Sequence, residues 1–225
     1  MAVNKEVYQR IRKELNAKQV ALVTVSKAKP VEDILELYNL GQKGFGENYV
    51  QELIDKAAQL PKDIRWHFIG HLQTNKVKLI APFVQLIQGV DSLKLLKEIN
   101  KEAGKSNRVI DCLLQVHIAK EETKFGLDEK ELNEVMSQFA DELMENVQIT
   151  GLMGMASFSE DMDIVRSEFR GLKKLFDSYA KPETRNPEFK TLSMGMSSDY
   201  SIAVEEGSNM VRIGSLLFGE RFRNS

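Results

Sequence analysis

The feature that most constrains the fold is a regular alternation of short apolar segments with longer amphipathic ones. The short segments are rich in Val, Ile and Leu, as buried strands are, and the longer ones repeat apolar residues at helical spacing. The predicted strands are 20–26, 43–46, 65–69, 84–88, 109–117, 147–153, 189–193 and 210–213. The predicted helices are 3–17, 31–41, 48–59, 74–81, 92–104, 128–143, 161–180, 197–206 and 215–221.

Strand–helix alternation predicts an α/β fold in which a parallel sheet is joined by right-handed crossovers. Eight strand–helix units are the number that closes a (β/α)8 TIM barrel, and 225 residues lie near the lower end of that architecture. We therefore expect a single TIM-barrel domain over residues 1–225, with an extra N-terminal helix within 1–18 packed on the barrel. A doubly wound open sheet is the alternative, because a segment as weak as 43–46 need not be a strand.

Composition removes several classes of function. The formal net charge is -2 and no stretch is strongly basic, so nucleic acid is not an expected partner. Cys112 is the only cysteine, which excludes an internal disulfide and any CxxC motif. No apolar run has membrane-spanning length, and the first ten residues lack a signal-peptide core. We expect a soluble cytoplasmic protein that does not bind membranes.

Polar residues accumulate where the predicted strands end. Strand ends of a TIM barrel meet at one face, where ligands bind. The residues at these ends are Lys27, Asn48, His67, His71, His117, Glu121, Lys124, Ser197, Ser198, Arg212, Gly214 and Ser215. Lys27 follows a β-branched run and precedes Pro30, which suits the first turn of a helix. A desolvated lysine amine in this position is a candidate imine-forming nucleophile.

The ends of the seventh and eighth strands each combine glycine with hydroxyl residues before a predicted helix. Glycine allows close backbone approach, and free N–H groups favour an anion, so these loops resemble the recurrent phosphate site of the barrel. Helix capping by Ser197 or Ser198 explains one loop alone, but it explains the pair less well. Arg212 is predicted to face the barrel mouth, and a structural ion pair inside the barrel is the alternative.

A metal site is not expected. His67 and His71 are four residues apart, but they flank a strand end and no third ligand is evident. The segment 44–49 begins like a dinucleotide-binding loop and lacks the third glycine.

Several long motifs, in order, resemble the pyridoxal phosphate homeostasis protein family, which is related to the N-terminal barrel of alanine racemase. These motifs are 25–30 (VSKAKP), 45–52 (FGENYVQE), 66–76 (WHFIGHLQTNK), 121–126 (EETKFG), 151–155 (GLMGM), 192–199 (LSMGMSSD) and 211–219 (VRIGSLLFG). The similarity covers the chain almost from end to end after the opening helix.

The resemblance implies that pyridoxal 5'-phosphate (PLP) is held as an imine on Lys27. It further implies that Arg212 faces the pyridine nitrogen. The phosphate-binding residues would be Ser197, Gly214 and Ser215, and the residues near the ring would be Asn48, Met194 and His67. The sequence departs from the family pattern at His117, where asparagine is expected, and at Ser215, where threonine is common.

The function that we predict is PLP homeostasis, in which the protein buffers or delivers the cofactor without substantial turnover and has no catalytic residue. PLP-requiring apoenzymes are the expected recipients, and the expected state is a monomer or a weak homodimer. A PLP-dependent amino-acid racemase is the alternative. A barrel enzyme that acts on a phosphorylated sugar or acid is a third reading. Because the sequence ends at Ser225, directly after the last predicted helix, we expect no further domain to supply a second acid–base residue.

Overall fold

The computed structural model describes residues 3–119, 125–180 and 188–219, and in this part of the chain eight parallel strands form a closed barrel in sequence order. The strands are β1 (Ala21–Val25), β2 (Gly44–Glu47), β3 (Arg65–Phe68), β4 (Leu86–Val90), β5 (Ile110–Val116), β6 (Val147–Gly154), β7 (Thr191–Ser193) and β8 (Met210–Ile213). Because β1 pairs with both β2 and β8, the sheet has no edge and the open-sheet alternative is wrong. The prediction of a TIM barrel is confirmed.

Helices separate the strands and cover the outside of the sheet. The described helices are α1 (Lys5–Ala17), α2 (Val31–Asn39), α3 (Val50–Gln59), α4 (Val77–Ile80), α5 (Leu93–Lys105), α6 (Glu129–Asp141), α7 (Met162–Tyr179), α8 (Tyr200–Glu205) and α9 (Ser215–Phe218). The helix α1 begins at an Asn4 side chain that accepts from the Val7 N–H, and the Asn4 N–H donates to the Leu217 carbonyl. The extra N-terminal helix therefore lies against the last one.

Several predicted boundaries are corrected by the structure. The helix predicted over 74–81 is divided into a 3-10 turn, Thr74–Lys76, and the short α4. The strand predicted over 84–88 lies two residues later, because barrel pairing joins Leu86 to His67. The helix predicted over 197–206 begins only at Tyr200. Residues 121, 124, 181–187 and 220–221, which carried other predictions, lie outside the described residues.

Apolar side chains form two separate layers. The large layer joins the outer face of the sheet to the helices and includes Phe45, Phe68 and Phe169, all fully buried. A small cluster joins Leu86 of β4, Leu113 of β5 and Met153 of β6 to the partly buried Met155 and Met210. Since β8 is not a sheet neighbour of β4 or β6, this small cluster lies inside the barrel. Buried polar side chains, including Gln88 and Arg212, also lie in the interior.

Across residues 3–119, 125–180 and 188–219, no helix combines the length and the apolar character needed to cross a lipid bilayer.

Candidate ligand-binding site

A cavity of about 480 Å³ opens at the carboxyl ends of β1, β7 and β8. It contains five of the eight cofactor-binding residues expected from the sequence: Lys27, Ser197, Arg212, Gly214 and Ser215. The other lining residues are Val25, Lys29, Phe158, Met196, Ser198 and Gly219. The barrel thus gathers two amines, one guanidinium and three hydroxyl groups from segments that are far apart in the sequence.

Lys27 lies in the turn that joins β1 to α2, and its side chain is half-buried. The Ser26 N–H, just before it, donates to the Gly46 carbonyl and continues the pairing of β1 with β2. Lys29 also lines the cavity, but its Nζ donates to the carbonyls of Phe218 and Gly219 at 2.9 and 3.3 Å. The Lys29 ammonium is therefore bound at the end of α9, and Lys27 is the other amine in the cavity lining.

The loops after β7 and β8 meet at one side of the cavity. The Ser197 Oγ accepts a hydrogen bond from the Gly214 N–H at 3.2 Å, which joins the two loops. Among the described residues, the backbone N–H groups of Ser197, Ser198, Ser215 and Leu216 have no acceptor. Four free donors, two from each loop, form a natural cradle for an anion. Ser197 and Ser198 do not cap α8 as the sequence suggested, because α8 starts after Asp199.

Gly214 is required for the backbone to pass close to β1. A Cβ placed on Gly214 would lie 3.0 Å from the carbonyl oxygen of Val25 and 3.2 Å from its Cβ. A larger residue would therefore move the loop that carries the free N–H groups.

Arg212 is buried and held by β6 and β7. One terminal nitrogen, Nη1, donates to the Ser193 carbonyl and to the Ser193 Oγ at 2.9 and 2.6 Å, and Nη2 donates to the Gly154 carbonyl at 3.0 Å. Burial lowers the pKa of the guanidinium to about 10, partly opposed by Asp199. Arg212 therefore stays protonated at neutral pH, and an interior ion pair is not its main contact.

A chain of hydrogen bonds continues from Arg212 into the barrel. The Ser193 Oγ donates to the Gln88 Oε1 at 2.7 Å, and the Gln88 Nε2 lies 3.0 Å from the His67 Nδ1. Because the amide nitrogen can only donate, the His67 Nδ1 is the acceptor and the ring proton lies on Nε2. Burial and the nearby Arg65 lower the pKa of His67 to about 4, so the imidazole is neutral at pH 7.

Three residues expected near a bound ring lie away from the cavity lining. His67 lines a different cavity of about 470 Å³, formed at the strand starts by residues such as Arg65 and Asp111. Met194 is fully buried in the large apolar layer. Asn48 is half-buried at the end of β2, and its Oδ1 has no hydrogen-bond partner in the described structure.

The two remaining histidines, His71 and His117, follow β3 and β5. The backbone N–H of His117, which follows β5, donates to the Leu127 carbonyl. His71 is exposed, contacts Asp91 at 3.1 Å and stacks on Phe125. Within the described ranges no three His, Cys, Asp or Glu side chains are arranged to hold a metal ion.

Sequence reasoning missed two groups of residues. Phe158 and Met196 line the cavity, but Phe158 lies outside the quoted motifs and Met196, within the motif 192–199, was given no binding role. Glu52 and Lys56 of α3 form a cluster with Glu47, and the signal available for it was the i, i+4 spacing of Lys56 from Glu52, the last residue of the motif 45–52.

Comparisons with known proteins agree with this geometry. A family model described as alanine racemase, N-terminal domain, matches residues 5–222. Alanine racemase from Bartonella henselae superposes with a TM-score of 0.71 at 16% identity, covering 96% of this chain and 59% of that one, and shows the same fold. The class is therefore an alanine racemase-type barrel.

More similar relatives define the family within that class. A pyridoxal phosphate homeostasis protein of Aquifex aeolicus is 44% identical over 201 residues, which are 89% of this chain and 86% of the relative. The Homo sapiens protein of the same name is 39% identical over 98% of this chain and 84% of its own length. PipY of Synechococcus elongatus, solved with PLP bound, superposes with a TM-score of 0.85 at 35% identity over 95% of this chain and 99% of that one. The chain belongs to the pyridoxal phosphate homeostasis protein family.

Proposed function

We propose that this protein binds PLP in the mouth cavity and serves PLP homeostasis, by buffering the cofactor or delivering it to apoenzymes. The observation that carries the proposal is that Lys27 and the loops after β7 and β8, with their free N–H groups, line the same cavity. The names of the relatives and the PLP bound to PipY support it.

The residues present fit this cofactor. PLP carries a phosphate dianion, an aldehyde and a pyridine nitrogen. The free N–H groups of the loops after β7 and β8 suit the phosphate, with Ser197, Gly214 and Ser215 as the proposed binding residues. Lys27 is the proposed partner of the aldehyde as an imine. Arg212 has N–H groups without an acceptor in the described part of the chain, and we assign them to the ring nitrogen.

We further propose that amino-acid turnover is absent or very slow. PLP supplies an electron sink that is strongest when its ring nitrogen is protonated. The Arg212 guanidinium, still charged at neutral pH, only donates a hydrogen bond and therefore favours an unprotonated nitrogen. Arg212 thus weakens the electron sink on which carbanion chemistry depends, and this supports the carrier function.

Borohydride trapping tests the attachment point. We expect reduction of the PLP-loaded protein, followed by peptide mass spectrometry, to place the phosphopyridoxyl group on Lys27. Lys27→Ala should lose the visible imine absorbance, whereas Lys13→Ala, which removes an exposed lysine of α1, should keep it. A dominant label on another lysine, with imine retained by Lys27→Ala, would refute the assignment.

Turnover is tested separately. PLP-loaded protein incubated with L-alanine should form no more D-alanine than free PLP does. Racemisation that is well above this background and is lost in Lys27→Ala would replace the carrier function with the racemase alternative.

A further inference from the structure

The buried Lys56 and Glu47 form a cluster with the partly exposed Glu52, next to the turn that carries Lys27. The Lys56 Nζ of α3 donates to the Glu47 Oε1 at 2.8 Å, to the Glu52 Oε1 at 2.6 Å and to the Ser26 carbonyl at 2.7 Å. The side chains of Lys56 and Glu47 are 6% and 0% exposed. An ammonium has three N–H donors, so all the donors of Lys56 are used.

The cluster holds both chain neighbours of Lys27. On one side, the Ser26 Oγ donates to the Glu47 Oε1 at 2.6 Å, in addition to the bond from Lys56 to the Ser26 carbonyl. On the other side, the Ala28 N–H donates to the Glu52 Oε1 at 2.6 Å. Hydrogen bonds to a carboxylate or from an ammonium are short and strong, so the backbone of this turn is held at two points.

The conformation of Ala28 needs such support. Its φ is +58°, in the left-handed region that residues with a Cβ adopt at a cost. Without the Glu52 carboxylate, the turn is free to relax toward an ordinary φ, and the direction in which Lys27 leaves the backbone then changes.

The cluster is a costly way to stabilise a fold. Among the residues that the structure describes, the buried Glu47 Oε2 has no hydrogen-bond partner, and burial raises the pKa of this carboxyl group against the opposing effect of Lys56. Buried ion pairs are often no more stabilising than apolar side chains of the same volume. The cluster of Glu47, Glu52 and Lys56 contacts the residues on both sides of Lys27, which points to a role in positioning that lysine rather than in stability.

We propose that Glu47, Glu52 and Lys56 are positioning residues that hold the Ser26–Ala28 turn so that the Lys27 amine meets a bound aldehyde. This inference rests on the proposed function. In the reaction that they serve, the neutral amine forms a C=N bond with the aldehyde carbon and the aldehyde oxygen leaves as water. Both protons of the neutral amine end on that oxygen, directly or by exchange through solvent, so that the amine, the aldehyde, the imine and one water balance.

The test separates imine formation from cofactor binding. Pyridoxine 5'-phosphate carries the phosphate and the ring but no aldehyde, so it reports binding alone. In Glu52→Gln we expect imine absorbance to appear at least about ten-fold more slowly after PLP is added, because the amide keeps the oxygen acceptor but loses the charge that strengthens the hydrogen bonds from Ala28 and Lys56. The affinity for pyridoxine 5'-phosphate, measured by calorimetry, should stay within about two-fold.

Asp55→Asn is the matched control, because it removes a carboxylate from an exposed position of the same helix. It should leave both measurements unchanged. Lys56→Met should behave as Glu52→Gln does. If Lys56→Met fails to fold, as judged by circular dichroism, the partly exposed Glu52 variant alone decides.

Borohydride trapping of the wild-type protein first establishes that the phosphopyridoxyl label is on Lys27. With that label present, imine formation in Glu52→Gln at the wild-type rate would overturn the positioning role. An equal loss of pyridoxine 5'-phosphate affinity would overturn it too, because it would indicate general damage to the site. A wild-type protein without the label would instead refute the proposed function.

Discussion

At the scale of single residues, polar side chains inside the barrel form a series of hydrogen bonds in which every donor and acceptor is defined. Arg212 donates to Ser193, Ser193 donates to Gln88, and Gln88 donates to His67. Each acceptor orients the next donor, so the guanidinium at the cavity is held by contacts that extend through the barrel. This series of hydrogen bonds ends at the His67 imidazole, whose Nδ1 accepts a hydrogen bond only while the ring is neutral. Protonation of His67 therefore disrupts the series.

We predict a loss of stability in acid that belongs to His67. The pKa of His67 is about 4 in the folded protein, and the ordinary value of 6.5 applies to the unfolded chain. Between pH 6.5 and 4, His67 binds a proton in the unfolded chain but not in the folded one. The contribution of neutral His67 to the free energy of unfolding is therefore complete above pH 6.5 and is lost as the pH falls toward 4. The total loss is about 3 kcal/mol, because each pH unit of difference in pKa corresponds to roughly 1.4 kcal/mol.

Urea unfolding at a series of pH values measures this effect. His67→Gln, which keeps a polar acceptor and cannot take a proton, should be less stable at pH 7 and should lose much less free energy of unfolding between pH 6.5 and 4. Parallel curves for the variant and the wild type would show that another group is responsible.

At the scale of elements, the site depends on the loops after β7 and β8, and the backbone of the second approaches β1 at Val25. We predict that Gly214→Val weakens PLP binding by at least about 100-fold, because the Cβ contact with Val25 displaces N–H groups that a phosphate needs. Equilibrium titration with pyridoxine 5'-phosphate measures the phosphate contribution directly. Gly171→Val is a suitable control, since a Cβ on this α7 glycine meets nothing within 4 Å. Unchanged affinity in Gly214→Val would place the phosphate elsewhere.

The elements themselves were largely predictable because each depends on local sequence. β-branched runs indicated the strands, and Lys27, Arg212 and Gly214 could be placed at strand ends by counting. Contacts that depend on barrel closure were not predictable in this way. Ser193 and Gln88 are 105 positions apart, and Lys56 reaches Ser26 across 30. Register also moved β4 by two residues, since pairing with β3 overrides the local apolar pattern.

At the scale of the whole molecule, the cavity joins the first strand–helix unit to the last two. Lys27 follows β1, whereas Ser197 and Gly214 follow β7 and β8. In the described residues, β7 and β8 pair at a single position, Ser193 with Met210, whereas β1 and β8 pair at four positions. A ligand that binds all three strand ends therefore supports the part of the barrel in which β-sheet pairing is shortest.

We therefore predict that PLP raises the thermal stability of the entire barrel in one cooperative transition. At a PLP concentration about 100 times Kd, the linkage contribution is about 2.7 kcal/mol. For a chain of 225 residues this corresponds to a rise in Tm of roughly 5 to 10 °C. Pyridoxal, which keeps the aldehyde and lacks the phosphate, should raise Tm much less at the same concentration. Scanning calorimetry of wild type and of Lys27→Ala measures the two contributions, because that variant retains the phosphate loops and loses the covalent bond. An equal rise with pyridoxal and PLP would mean that the loops after β7 and β8 do not bind the phosphate.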